Sequence, residues 1–251
     1  MILYFSATGN TELIAKTLAE HLGDACVDLL ARLKAGDTSD ICSERPFVLC
    51  SPIYVSELPV FISDYLKKVT LKGNSEVYGV FTNGGYSGIA GGQLKKIVRG
   101  KHMLFKGYAE FKMASNHITN KSHKPVGEAT IRERTEAALA KADTVAQVIE
   151  KGEYFKNRHI FLLEYILTLP VAPILCHLNQ TTKEFWVKKS CIGCGKCARL
   201  CPMNVIEMQG DKPLWIKDRC AHCMSCIQNC PTEAIEFATV TEGRKRYHME
   251  R

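Results

Sequence analysis

Eight of the chain's twelve cysteines fall into two runs. Residues 191–201 read C-I-G-C-G-K-C-A-R-L-C and precede Pro202; residues 220–230 read C-A-H-C-M-S-C-I-Q-N-C and precede Pro231. Three thiolates spaced three apart can wrap one face of a four-iron cube, and the fourth corner must come from elsewhere in the chain. The proline turns the chain away after the last cysteine. Zinc also accepts four thiolates, but its knots usually present two C-x-x-C pairs rather than three cysteines plus Cys-Pro, twice. The spacing therefore favours iron–sulfur chemistry. The two runs are one internal repeat: residues 191–208 align with 220–237 at an offset of 29. This predicts a small domain with two-fold pseudosymmetry.

A second set of residues lies near the other end. F-S-A-T-G-N-T, residues 5–11, closes an apolar run and opens a helix. Ser6, Thr8 and Thr11 bring hydroxyls, Gly9 allows close backbone approach, and the helix start offers free N–H groups and a positive dipole end. Together with Ala7 and Asn10 they suit a phosphate monoester. The P-loop and the G-x-G-x-x-G fingerprint are both absent. Two more loops follow strand-like runs: Pro52, Ile53 and Tyr54, then Thr82, Asn83, Gly84, Gly85 and Tyr86. Tyrosines on two loops at one sheet end could hold a flat ring between them.

These residues need a scaffold. Residues 1–5, 25–30, 46–51, 77–82 and 103–113 read as strands. Residues 10–22, 58–69, 88–98 and 132–150 read as helices, the last turning Leu139, Ala142, Ala146 and Ile149 inward. Such alternation predicts a doubly wound, five-stranded parallel α/β sheet with ligands at the strands' carboxyl ends. Residues 151–182 interrupt the pattern, and 183–251 form the cysteine-dense unit. The apolar segment 160–178 contains Glu164, Pro170 and Pro173, so it reads as buried or interfacial rather than as a membrane span.

Composition agrees. The chain has 251 residues, is 46% hydrophobic and 24% charged, and carries a formal +7. Cluster thiolates and a bound phosphate would offset much of that positive charge. No basic stripe with interleaved aromatics points to nucleic acid. Met1 is not followed by a signal-peptide pattern, and cysteine clusters of this kind suit a reducing, cytoplasmic setting with little oxygen. Cys26 and Cys50 read as small core residues, and Cys42 and Cys176 carry no assigned role. Trp186 and Trp215 read as core or cluster shielding, and His222 as an exposed or supporting residue. The basic tail E-G-R-K-R-Y-H-M-E-R reads as a frayed terminus.

With its strand-end P-I-Y and T-N-G-G-Y loops, the F-S-A-T-G-N-T stretch resembles the flavodoxin family over residues 1–150. The resemblance implies an FMN whose phosphate sits on residues 6–11 and whose ring lies between the other two loops. Residues 184–240 resemble two-cluster ferredoxins, a small α+β fold. That topology implies one [4Fe-4S] cluster on Cys191, Cys194, Cys197 and Cys230, and another on Cys220, Cys223, Cys226 and Cys201. The fusion resembles the EFR-type ferredoxin family. It implies an electron carrier working with a redox partner protein, with a homodimer left open. The competing classes are a small FMN-dependent reductase acting on an acceptor such as a quinone, with His117 or His123 near the substrate, and a cluster protein without flavin.

Overall fold

A computed structural model describes residues 1–122, 125–157 and 180–249. Its centre is a five-stranded parallel sheet of β1 (Ile2–Tyr4), β2 (Cys26–Asp28), β4 (Phe47–Pro52), β6 (Glu76–Asn83) and β7 (Leu104–Lys112). The order across it is β2-β1-β4-β6-β7. Counted along its own five strands this is 2-1-3-4-5, the doubly wound flavodoxin-like order, with its switch point between β1 and β4. Beside it β3 (Ile41–Ser43) pairs in parallel with β5 (Leu71–Gly73). Neither short strand, nor the helix α2 (Leu30–Ala35), is predicted by the sequence pattern; each is too brief to set up a period.

Helices cover both faces because the strands are apolar on both. On one side α1 (Asn10–Leu22) and α5 (Glu128–Glu150) pack over Ile2, Val48, Tyr78 and Val80. On the other, α3 (Val60–Lys68) and α4 (Ala90–Gly100) close over Leu3, Leu49 and Phe81. Full burial of Ile14 and Leu18 contributes about 1.5–3 kcal/mol each.

The structure corrects the inward face of α5. Leu139 is 37% exposed, whereas Ala138 is 4% exposed. Alanines 138, 142 and 146, four apart, make a smooth strip that lies against Ala15 and Leu18 of α1; the neighbouring Leu139 is rotated about 100° off it. After α5 the chain returns along β7. Phe155 N–H donates to Lys106 O at 2.9 Å, and the Asn157 amide both accepts from Tyr108 N and donates to Tyr108 O. These bonds cap an otherwise open sheet edge. The apolar segment 160–178, Cys176 and His123 lie outside the described residues. Among the described residues, no helix is long and apolar enough to cross a membrane.

From Thr181 the chain forms two short antiparallel ladders. Strand β9 (Ile206–Gln209) pairs with β10 (Lys212–Trp215), and β8 (Phe185–Val187) with β11 (Ile235–Phe237). Two single-turn helices, α6 (Lys196–Arg199) and α7 (Ser225–Gln228), follow the cysteine loops. The 29-residue repeat is present in the backbone itself. Gly195 and Met224 share φ values of 68° and 65°, Asn204 and Glu233 share 47°, and Gly193 and His222 have 67° and 45°. Glycine takes the left-handed conformation freely in the first copy. In the second, His222 and Met224 adopt it at about 1–2 kcal/mol each. Their side chains offset that cost: Met224 is 2% exposed in a core with Phe185 and Ile227, and His222 sits edge-on to Phe185 and Phe237.

The tail is also corrected. Arg246 forms a buried ion pair with Glu236 at 2.8 Å, Tyr247 O–H donates to Asn10 Oδ1 at 2.7 Å, and Met249 N–H donates to Thr8 O at 2.8 Å. Residues 241–249 are therefore a strap that ties the cysteine-bearing unit to the loop after β1, not a frayed end.

Candidate functional site

The carboxyl ends of β1, β4, β6 and β7 open into one cleft of about 960 Å3. Its walls include Ser6, Ala7, Thr8, Asn10, Thr11, Pro52, Ile53, Tyr54, Thr82, Asn83, Gly84, Gly85 and Tyr86. Thirteen of the fourteen flavin-loop residues expected from the sequence thus meet in one place. The fourteenth, Gly9, lies behind the wall as the left-handed N-cap of α1 (φ 95°), with Met249 of the strap against it.

The loop after β1 is braced from several sides. Gly9 N–H donates to Ser6 Oγ at 3.1 Å, and the hydroxyls of Thr11 and Thr82 bond each other at 2.7 Å. Asn116 donates its amide to Thr8 Oγ1, which keeps its own proton to donate. Asn10 is a brace: its amide donates to Ala114 O at 3.0 Å and its carbonyl oxygen accepts from Tyr247. The first-turn N–H groups of a helix lack intrahelical acceptors, and Asn10 and Thr11 bring those of α1 to the cleft wall.

Asn83 carries the clearest chemical signal. It is 8% exposed and lines the cleft, and neither its amide nitrogen nor its oxygen has a hydrogen-bond partner among the described residues. A buried primary amide with both functions unpaired costs several kcal/mol unless something polar fills the space beside it. A flat heterocycle bearing adjacent N–H and C=O groups fits that demand.

The two tyrosines differ. Tyr86 is 59% exposed at the rim. Tyr54 is half-buried, with its hydroxyl fully enclosed and unpartnered among the described residues. Burial, then the neighbouring Cys223 thiol, push that hydroxyl's pKa well above the usual phenol value. Tyr54 therefore joins the cleft to the second cysteine run. Cys223 itself packs against the sheet core.

The far wall comes from the cysteine-bearing unit: Gln180, Thr181, Glu184, Ala221, His222 and Phe237 line the same cleft. Of the two readings of His222, exposed or supporting, the structure takes the second. It is 8% exposed, bonds Thr181 O through Nε2 at 2.8 Å and Thr119 Oγ1 through Nδ1 at 3.4 Å. Desolvation lowers its pKa, so it stays neutral. Its burial was not legible in the sequence, because Thr119 and Thr181 are far away along the chain. Loop residues 115–117 and 119–121, with His117, close the remaining side.

Behind this wall Cys201, Cys220, Cys223 and Cys226 line an enclosed, mainly apolar cavity with Phe185, Met203 and Trp215. Burial pushes the Cys220 and Cys223 thiols up to about 12, and Cys226 well above the usual thiol value. Buried thiols of this kind ionise when a metal replaces their protons, and backbone N–H groups already point at the sulfurs. His222 N–H donates to Cys220 Sγ at 3.3 Å, Val205 N–H to Cys201 Sγ at 3.5 Å, and Ala234 N–H to Cys230 Sγ at 3.2 Å. The last two are repeat-equivalent. Cys197 stands near Cys230 and Cys194, its thiol raised by burial to about 11. Among the described residues no three His, Cys, Asp or Glu side chains close around a single ion. The donor set itself, cysteine thiols in threes with a fourth from the other repeat, fits a cube of iron and sulfide.

Depth varies within the first run: Cys201 is buried, whereas Cys194 is exposed; the four cysteines of the second run are all half-buried. Trp215 stacks on Phe185 with centroids 5.1 Å apart, as expected of shielding; Trp186 does not shield, being 40% exposed with its indole N–H on Ala238 O at 2.7 Å. Of the remaining thiols, Cys50 is in the core, Cys26 is half-buried and Cys42 is exposed.

Residues 190–234 match a family model described as a 4Fe-4S dicluster domain. No curated protein matches the chain. Solved structures similar to it include the Trp repressor binding protein from Bacillus subtilis, at 13% identity over 57% of this chain and 96% of that one, with a TM-score of 0.35. The flavodoxin of Streptococcus pneumonia TIGR4 is 17% identical over 57% of this chain and 96% of that one, with a TM-score of 0.32. The rubredoxin oxygen:oxidoreductase of Desulfovibrio gigas is 17% identical over 60% of this chain, which spans 35% of that protein, with a TM-score of 0.35. The flavodoxin-like assignment rests on the strand order itself.

Proposed function

We propose that this chain is an electron carrier of the EFR-type fusion class, holding FMN in the strand-end cleft and two [4Fe-4S] clusters on the cysteine repeats. Residues 1–150 would form the flavin unit, 151–182 the connection and 183–251 the cluster unit. The observation that carries the reading is the shared wall of the cleft: Ala221 and His222, from the loop between two predicted cluster ligands, face Tyr54 and Asn83 across it. Bound flavin supplies one- or two-electron chemistry and each cube one-electron chemistry.

The chain's own residues do the positioning. Thr8, Thr11 and the start of α1 would hold the phosphate, with the Tyr247–Asn10 bond and the Met249–Thr8 bond fixing that loop from behind. Asn83 would pair with the polar edge of the ring. Phe185, Met203 and Trp215 keep water from the inner thiols, which lowers the energy of reorganisation around a charge change. Cys220, Cys223, Cys226 and Cys201 would serve the inner cluster, and Cys191, Cys194, Cys197 and Cys230 the outer one.

Direct reduction of a small acceptor such as a quinone is the second reading, favoured by the position of His117 in the cleft wall. Anaerobic turnover with quinones separates the two. A carrier reduces them no faster than free FMN does, whereas turnover that saturates in quinone and falls in His117→Ala contradicts the carrier reading.

A further inference from the structure

The outer cysteine loop carries a surface that the electron-carrier reading leaves without an occupant. Ile192 is 65% exposed between Cys191 and Cys194, the most exposed large apolar side chain of the described residues. The β9–β10 hairpin extends this surface. Alternate residues of β10 share one face, so Lys212 and Leu214 point outward with Ile216 just beyond, while Pro213 is buried. Leu214 is 44% exposed. Lys212 Nζ donates to Cys191 O at 3.1 Å, which joins the outer face of the hairpin to the cysteine loop.

The rim is positive. Between residues 188 and 219 the sequence has seven Lys or Arg against three Asp or Glu, Asp211 at the hairpin tip being the acidic residue nearest the loop. Arg199 is held over the loop by its bond to Cys194 O at 2.8 Å. Two cations are thus fixed to the backbone of the very segment that exposes a thiol, and Lys189 and Lys196 stand on either side of it in sequence. An apolar centre with a charged rim is the anatomy of a protein–protein interface, and a rim of one sign steers a partner of the other. Electron-transfer encounters are small, below about 1,200 Å2, and do not need an extended surface.

We infer that the surface centred on Ile192 and rimmed by Lys189, Lys196, Arg199 and Lys212 docks an electron-transfer protein with an acidic face. This rests on the reading of Cys191, Cys194 and Cys197 as cluster ligands. The test measures binding of anaerobic holoprotein to an acidic two-cluster ferredoxin by biolayer interferometry, with basic cytochrome c as the opposite-charge probe. Iron content and visible absorbance are recorded for every sample. The double variant Lys189→Glu/Lys196→Glu weakens ferredoxin binding about tenfold at low ionic strength, and the difference vanishes near 0.5 M salt. Ile192→Ser weakens binding at both salt levels. Ferredoxin affinity unchanged by charge reversal, a loss equal at low and high salt, or tighter binding of cytochrome c by the wild type overturns the inference. A chain that takes up no iron overturns the cluster reading beneath it; a loaded chain indifferent to charge reversal overturns the docking surface alone.

Discussion

Replacing Glu236 with glutamine tests how the strap is held. The Glu236 side chain is 0% exposed, forms ion pairs with Arg246 at 2.8 Å and Lys188 at 2.5 Å, and accepts a hydrogen bond from Thr241. Arg246 is 5% exposed; two of its guanidinium nitrogens have no partner among the described residues, and its remaining bond is to Ile235 O at 3.1 Å. Glutamine keeps the shape but not the charge, so the arginine becomes a buried cation without a counter-ion. Breaking such a pair costs about 3–5 kcal/mol. Lys188 is 37% exposed and can turn to water, so it adds little. The strap, not the sheet, should absorb the loss, because Arg246 lies within it. At about 1.4 kcal/mol per tenfold, amide exchange at Tyr247 and Met249 rises on the order of 10² to 10³. Hydrogen–deuterium exchange on residues 241–249 of holoprotein reads this directly. The double variant Glu236→Gln/Arg246→Met, which removes both charges, restores most of the protection. Single-variant exchange at the wild-type rate, or a double variant no better than the single, refutes the reasoning.

Other outcomes follow from the same contacts. Burial raises the pKa of Glu236, but hydrogen bonds from Lys188, Thr241 and Arg246 together outweigh it and hold the carboxyl below its usual value. Its stabilisation is complete above the unfolded value of about 4.3 and is lost as pH falls through the lower folded value, so strap exchange accelerates only below about pH 4. Under the proposed flavin reading, Asn83→Ala removes two hydrogen bonds to the ring edge, about 2 kcal/mol, and weakens FMN binding roughly 30-fold in a fluorescence titration of apoprotein. Gly9→Ala places a Cβ 2.7 Å from Met249 Cβ at a φ of 95°, which raises exchange of the Met249 amide and weakens FMN binding together.

What could be read from the sequence depended on how local each signal is. The cysteine spacing and the 29-residue repeat lie within short windows, and the backbone reproduces the repeat down to the paired φ angles at Asn204 and Glu233. The convergence of the three cleft loops was legible because each follows a buried strand, and strand ends of one parallel sheet converge by construction. The strap was not legible. Residues 241–249 are polar and aperiodic, and their partners Thr8, Asn10 and Glu236 include two from the opposite end of the chain. Leu139 was misplaced because an alanine strip buries less apolar surface than a leucine would, and helix–helix contact favours the smaller side chain. His222 is buried only because two separate loops close over it.

The central claim is that one chain holds a flavin in the cleft and iron–sulfur cubes on both cysteine repeats. Anaerobic reconstitution with iron, sulfide and FMN, followed by gel filtration and quantitation of the protein peak, tests it most directly. The account predicts about eight irons and one FMN per chain eluting together. Zinc in place of iron, or a peak that carries iron but sheds its flavin, contradicts it.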